Sequence, residues 1–428
     1  MSSSKSVIAL ALIAFFGPLC GPALSASDSE ELMKLPPDTP VYSSREAAQA
    51  ASLAKVGIDQ EWRRSMDEGK SDLKLGKFAE AEAAFRSALK TAKAKSENNL
   101  MTILTLNALG EVLTDQKKFE AAEASYKEAE KLSTGGYPPS VVNMVKANIG
   151  NLYSLQGKTN LAQPYLESAA QFHLKKDGEE SAVYATTLDN RAVVLKKQGR
   201  LDESEAMHKQ ALKIWEKVKG PNSVDYAVCL TNLAVLYLQQ KRFLEADKFI
   251  SQALDINEKV YTDSDPRLAE SYFNAGVVRL QLGRESEAAK YFGKDIAVRS
   301  KAGGADSIAL ADELNNIGLS YAQCDKHHAA IENFEKSLAI REKRLPPSSL
   351  EVAKCVFNIA VRRIKLGQFD KAEQLLKRAD AICEKSEPSM LQVAVLNAYS
   401  DVLSHTGNQK LAVQYALKAQ KVKGNLPR

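Results

Sequence analysis

The sequence predicts an all-α fold, a solenoid of about nine helix–turn–helix units, and three observations carry that prediction. The first is a period. Asn148, Asn190, Asn232, Asn274, Asn316 and Asn358 stand 42 residues apart, and self-similarity at a fixed period of about 20–50 residues marks an array whose core lengthens with the chain. With slips of one or two residues the frame reaches Asp67 and Ala108 on one side and Ala398 on the other, which makes nine units. The second is a pair of small-residue positions. Two residues after each anchor stand Gly69, Gly110, Gly150, Ala192, Ala234, Gly276, Gly318, Ala360 and Ser400; fourteen after it stand Ala81, Ala122, Ala162, Ser204, Ala246, Ala288, Ala330, Ala372 and Ala412. Small side chains let the ridges of one helix sit close in the grooves of another. The third is a break nine residues after the anchor, where six units carry Gly76, Gly157, Gly199, Gly283, Gly367 or Gly407 and three carry Lys117, Lys241 or Asp325. Glycine there suits the left-handed residue that closes a helix.

The elements follow in chain order. Lys5, the apolar run Val7–Phe16 and the small residues Ala23 to Ala26 read as a leader for export, residues 1–25. Val7 to Cys20 is too short for a spanning helix, which needs about 20 residues, and Leu19 stands where a lipid-attachment motif at Cys20 would want a small residue. Export in soluble form, periplasmic or secreted, is therefore expected ahead of lipid anchoring. Residues 26–58 read as a linker with Pro36, Pro37 and Pro40, and Ser43–Val56 as an extra helix able to cap the first unit. The array proper is expected over 59–424. Within it, bulky residues fill the space between the small ones: Tyr153, Tyr237 and Tyr321 five residues after the anchor, and Phe85, Tyr126, Leu166, Ile250, Phe292, Phe334 and Leu376 eighteen after it. Asp265-Pro266 predicts a capped helix start, and Ser348 with Glu351 a capping box. Each unit is expected to hold two helices of about 15–18 residues.

Composition narrows the function classes. With 58 basic against 53 acidic residues the net charge is +5, too balanced to point to nucleic acid. Cys229, Cys324, Cys355 and Cys383 show no paired or metal-type spacing and are expected as small buried hydrophobes. No phosphate loop, HExxH, CxxC or GxSxG occurs, so no enzyme is expected, and neither cofactor nor metal. Cys324-Asp325-Lys326-His327-His328 is the densest group of possible ligands and falls on a turn, where polar residues belong. His208 occupies the plus-eighteen core offset and is expected to be a packed, hydrogen-bonded histidine.

The pattern of small and aromatic residues across a helical hairpin resembles the tetratricopeptide repeat. The 42-residue period and phrases such as NLAVLYLQQKRFLEADKFISQALDINEKV resemble its kinesin-light-chain type, over about Asp59 to Lys423. HEAT-type arrays share a similar period; the turn glycine and the paired small residues favour the tetratricopeptide reading. The resemblance implies a right-handed superhelix whose first helices line a concave face. On such helices the residues four before, at, three after and seven after the anchor share a stripe. The stripe comprises Thr186, Asn190, Val193 and Lys197; Val228, Asn232, Val235 and Gln239; Glu270, Asn274, Val277 and Gln281; Asp312, Asn316, Leu319 and Gln323; and Lys354, Asn358, Val361 and Lys365.

Peptide capture is the function this face implies. The candidate site is Asn148, Asn190, Asn232, Asn274, Asn316, Asn358, Gln239, Gln281, Gln323, Lys197 and Lys365. Amides offer donor and acceptor to an extended backbone, and the apolar row offers pockets. The same asparagines would serve equally to bond the neighbouring helix and fix the stacking. The expected partner is a protein or peptide, with no nucleic acid, no small-molecule substrate and no membrane contact beyond the leader. A structural or self-assembling spacer is the other reading. The carboxylate clamp of some relatives is approached only by Lys354, Asn358 and Arg362 and is not completed in an adjacent unit.

Overall fold

A computed structural model describes residues 60–74, 77–94, 99–134 and 136–426. The leader, the linker with Ser43–Val56, and the turn residue Gly76 lie outside the described residues. Among those described there are eighteen α-helices and no strand, and no helix is long and apolar enough to cross a membrane. They fall into two compact units, divided after Gln240.

In the first unit the hairpins are α1 (Gln60–Lys74) with α2 (Phe78–Ala94), α3 (Asn99–Asp115) with α4 (Phe119–Ser133), α5 (Pro139–Leu155) with α6 (Thr159–Asp177), and α7 (Ala182–Lys197) with α8 (Leu201–Lys219), followed by α9 (Val224–Gln239). The second unit opens with α10 (Phe243–Val260). Its hairpins are α11 (Pro266–Gln281) with α12 (Glu285–Gly303), α13 (Ile308–Gln323) with α14 (His327–Arg344), α15 (Leu350–Lys365) with α16 (Phe369–Cys383), and α17 (Met390–His405) with α18 (Gln409–Gly424). Within each unit a helix packs on its hairpin partner and on the first helix of the next hairpin, so neighbours bury what no hairpin could bury alone.

The small residues sit where the helices cross, and the reason is steric. A Cβ built on Gly69, Gly110, Gly276 or Gly318 would come within 2.5–2.7 Å of the ring of Phe85, Tyr126, Phe292 or Phe334 respectively. Each glycine thus makes room for the plus-eighteen side chain of its own hairpin. Ala360 faces no ring: its plus-eighteen residue is Leu376, and both are fully buried. The fourteen-residue offset is buried at every unit from Ala81 to Ala412.

The turn is a left-handed helix cap in every described repeat of the frame. The amide of the residue after the cap bonds back across the turn, as Lys158 N–H does to the Tyr153 carbonyl at 2.8 Å and Arg200 N–H to Leu195 at 2.9 Å, the longer-range bond that closes a Schellman motif. Where glycine is missing the backbone is bent just as far: Lys117 has φ 59°, Lys241 59° and Asp325 56°. A side chain in that region crowds the following carbonyl, at a cost of about 1 kcal/mol or more. Lys117→Gly and Asp325→Gly are therefore each expected to stabilise their unit by about 0.5–1 kcal/mol, read as a higher urea midpoint. An unchanged or lower midpoint would show that the strain is already relieved.

First helices start on side-chain caps at 42-residue spacing. Ser181, Ser223, Asp265, Ser307 and Ser349 each accept a backbone N–H from the first turn. The Asp265-Pro266 start holds as expected. The start of α15 is corrected by one residue: Ser349, not Ser348, accepts the Glu351 amide, at 3.3 Å, because the helix begins at Leu350 and an N-cap must immediately precede it.

Candidate functional site

In the first unit the anchor asparagines sit on α5, α7 and α9. Asn148 is buried and its Nδ2 donates to Asn107 Oδ1 on α3 at 3.0 Å. Asn190 is half-buried. Asn232 is buried, with an Nδ2 that meets no acceptor. A cavity of about 10 Å³ lies against both, lined also by Thr186, Asp189, Trp215, Asp225 and Val228. Thr186, Asn190, Val228 and Asn232 are stripe residues of two adjacent hairpins, so the stripe does converge on one recess here. The recess holds one water at most. Lys197 is exposed and bonds the Ser154 carbonyl of the preceding hairpin, while Gln239 is exposed.

In the second unit Asn358 repeats the arrangement of Asn148, donating to Asn315 Oδ1 at 2.9 Å. Asn316 reaches only Glu313 on its own helix, at 3.5 Å. Asn274 is half-buried, with its Nδ2 enclosed and unpartnered. Gln281 is half-buried; Gln323 and Lys365 are exposed.

One arrangement accounts for the two asparagines that bond backward. The backward bond forms where the preceding first helix carries an acceptor one residue before its own anchor, as Asn107 and Asn315 do. For Asn190 and Asn316 that position is Ala147 and Phe273, which offer no side-chain acceptor. For Asn232 it is Asp189, whose oxygens are already engaged. Asn148 and Asn358 therefore tie hairpins together, whereas Asn232 Nδ2 and Asn274 Nδ2 meet no acceptor; for Asn274 the corresponding residue is Thr231, whose hydroxyl donates to the Ala227 carbonyl.

Behind the recess lies a polar group in the core. Asp189 on α7 is bonded by His208 Nδ1 of α8 at 2.7 Å, by Trp215 Nε1 at 3.2 Å and by Cys229 Sγ of α9 at 3.2 Å. All four are buried. Burial and the adjacent carboxylate push the Cys229 thiol pKa well above its usual value. His208 is thus the packed, bonded histidine its offset implies. Of the other cysteines, Cys355 and Cys383 are buried and Cys324 half-buried, all as free thiols. The turn Cys324–His328 keeps its ligands apart: His327 Nε2 is 4.0 Å from Asp325 Oδ1, and His328 is exposed.

The second unit has an acidic counterpart. Arg299 of α12 reaches Asp295 at 2.7 Å and Glu313 of α13 at 3.2 Å. Glu270 of α11, a stripe residue, lies in the same electrostatic field. Burial and mutual repulsion raise the pKa of Asp295 to about 8 and push Glu313 and Glu270 up as well. Sequence reading missed both polar groups because each is assembled from three helices. The signal lay in the frame: His208 at the plus-eighteen offset already read as core, and Asp189 one before its anchor and Cys229 three before the next at offsets that were not.

Among known proteins, the tetratricopeptide-repeat profile matches residues 69–134, 183–259, 230–301 and 308–385, more than half of the chain. Comparison with curated protein sequences gives no match. Similar solved structures include a Rap protein complexed with competence and sporulation factor, 16% identical, covering 85% of this chain and 98% of that one at a TM-score of 0.51. Aspartyl phosphate phosphatase F from Bacillus subtilis is 15% identical, with coverages of 83% and 97% and a TM-score of 0.49. TPR-like repeats ascribed to a kinesin light chain of Podospora anserina are 17% identical, with coverages of 57% and 96% and a TM-score of 0.33. At 16% identity the likeness to the Rap protein is one of fold alone. The profile matches, the small residues at the helix crossings and the left-handed caps at a 42-residue period together make this chain a member of the tetratricopeptide-repeat family.

Proposed function

We propose that the chain is a non-enzymatic binding scaffold that holds an extended peptide or partner protein along the stripe of its first helices. The observation that carries this reading is an unused donor on a first helix of each unit, taken separately. Asn232 Nδ2 and Asn274 Nδ2 are enclosed without an acceptor, a state that costs about 1–3 kcal/mol per group unless something supplies the bond. A peptide carbonyl over the half-buried Asn274 would supply it there, and the one water that the Asn232 recess admits would relay the bond to a peptide lying over the stripe. A Rap protein of the same fold is known in complex with competence and sporulation factor, which fits a binding role for such arrays. Export, which the leader implies, would place the partner outside the cytoplasm.

The test is the double substitution Asn232→Ala with Asn274→Ala. A partner is first captured on the immobilised chain and identified by mass spectrometry, and its affinity is then measured against both proteins. The double variant is expected to bind at least about tenfold more weakly, as the loss of two hydrogen bonds implies, with its melting curve near that of the native chain. Unfolding of the variant would make the asparagines structural and remove the site.

A spacer or self-assembling role is the second reading, and it too has an observation behind it. Val413 and Leu417, one turn apart on α18, are 57% and 59% exposed. Concentration-dependent association of the purified chain, with no partner captured, would favour that role over the first.

A further inference from the structure

We infer that Asp189, His208 and Cys229 form a site for one transition-metal dication of the zinc type, seated in the core of the first unit where α7, α8 and α9 meet. Each residue offers one ligand atom, and the three atoms lie within 4.8 Å of one another. A carboxylate oxygen, an imidazole nitrogen and a thiolate sulfur are the three donor classes that bind zinc, at roughly 2.0–2.3 Å in a tetrahedron. Sulfur in the set disfavours calcium and magnesium. A tetrahedron of that size puts ligand atoms roughly 3.3–3.7 Å apart. The present contacts of 2.7 Å from His208 Nδ1 and 3.2 Å from Cys229 Sγ to Asp189 Oδ1 need open by only a few tenths of an ångström to one.

Charge supplies an independent argument. Asp189 is the only acid of the group, it is 7% exposed, and its hydrogen-bonding partners are His208, Trp215 and Cys229, with no lysine or arginine among them. A buried carboxylate with no permanent cation beside it is costly, and among its partners only His208 could supply positive charge, by taking a second proton. When a dication enters, the proton on Cys229 Sγ and the proton on His208 Nδ1 are displaced. The imidazole takes its neutral form with hydrogen on Nε2, the thiol proton leaves to solvent, and carboxylate plus thiolate balance the metal. The site becomes neutral. Trp215 Nε1 remains on the second carboxylate oxygen at 3.2 Å, the kind of outer-shell bond that orients a metal ligand. A fourth ligand would be one water on the Asp189 side of the group, since His208 and Cys229 do not line the recess. The cavity of about 10 Å³ touches Asp189 and Trp215, has room for one water, and presents the unused Asn232 amide to it.

The experiment uses the full chain, stripped with a chelator and then titrated with Zn²⁺ or Co²⁺. One equivalent of metal is expected to survive gel filtration and to raise the melting temperature. Co²⁺ is expected to give a thiolate-to-cobalt charge-transfer band. Cys229→Ser, which keeps the side-chain volume nearly constant, is expected to lose the band and to bind at least about a hundredfold more weakly, beyond the range of outer-shell changes. Cys324→Ser is the companion variant and should retain both. The site is refuted if the native chain binds less than one equivalent without a thermal shift. It is refuted equally if the band survives Cys229→Ser and vanishes with Cys324→Ser, which would put the metal at the turn between α13 and α14. Should Cys229→Ser fail to fold, the band and stoichiometry of the native chain and of Cys324→Ser still decide the matter.

Discussion

Gly318→Ala is expected to destabilise the second unit by about 2–3 kcal/mol, the upper range for overpacking a filled core, and Phe334→Leu is expected to restore most of that loss. An added Cβ would lie 2.7 Å from two ring carbons of Phe334 and 3.1 Å from the Ala330 carbonyl oxygen. Phe334 is fully buried, so the ring has nowhere to turn. The carbonyl belongs to the α14 backbone, so relief requires the two helices to part. Phe334→Leu alone leaves a cavity and is expected to cost about 1–2 kcal/mol. In the double variant the new methyl occupies part of that cavity, as Ala360 and Leu376 already do one hairpin later, where both are fully buried. The coupling between the two sites should reach at least about 1 kcal/mol. Because a repeat array need not unfold in one step, the sharper measurement is hydrogen exchange of α13 and α14 amides alongside urea unfolding. Strictly additive costs would mean that the glycine does not answer to the ring.

The same pair shows why the fold was legible. A glycine two after the anchor and a ring eighteen after it are both local facts, and their contact lies inside one hairpin. Repetition then states the rule several times over, so a single departure such as Ala360 with Leu376 reads as a variation on it. The Lys117, Lys241 and Asp325 turns were legible in the same way: the frame required a left-handed residue there, whichever side chain the sequence supplied. The site was less legible. Whether an anchor asparagine can tie helices depends on the residue one place before the previous anchor, some 40 positions away. Asn107 and Asn315 accept; Ala147 and Phe273 do not. Neither the His208–Asp189–Cys229 group nor the Arg299 cluster has a linear signature, because each draws on three helices whose register only the stacking defines.

The Arg299 cluster makes the stability of the second unit depend on pH in a sense opposite to that of ordinary surface ion pairs. Asp265, held by Arg267, and Glu258, held by Lys294, have lowered pKa values; such groups lose their contribution as the solution is acidified. Asp295 does the reverse. It is fully buried, repelled by Glu313, and only partly compensated by Arg299, so its pKa stands at about 8 against an unfolded value of 3.8. Between those two values the folded chain holds a proton that the unfolded chain has given up. Stability from this group is complete below about pH 4, declines as pH rises, and is exhausted above about pH 8. Glu270 on α11 and Glu313 on α13 are raised as well and add to the same slope. Three carboxylates around one guanidinium cannot all ionise without cost. Asp295→Asn copies the protonated state: its carbonyl can still accept from Arg299 Nε, now 2.7 Å from Oδ1, and its amide can donate to Glu313. The native chain is expected to lose about 2–3 kcal/mol from the second unit between pH 5 and pH 8.5, a discounted share of what the shift would give for an isolated buried acid. The variant should lose far less and be the more stable of the two at the alkaline end. Urea unfolding at the two pH values gives the comparison. Parallel profiles would place the shared proton elsewhere, and a variant less stable at pH 8.5 would show Asp295 ionised, with Arg299 outweighing the repulsion of Glu313.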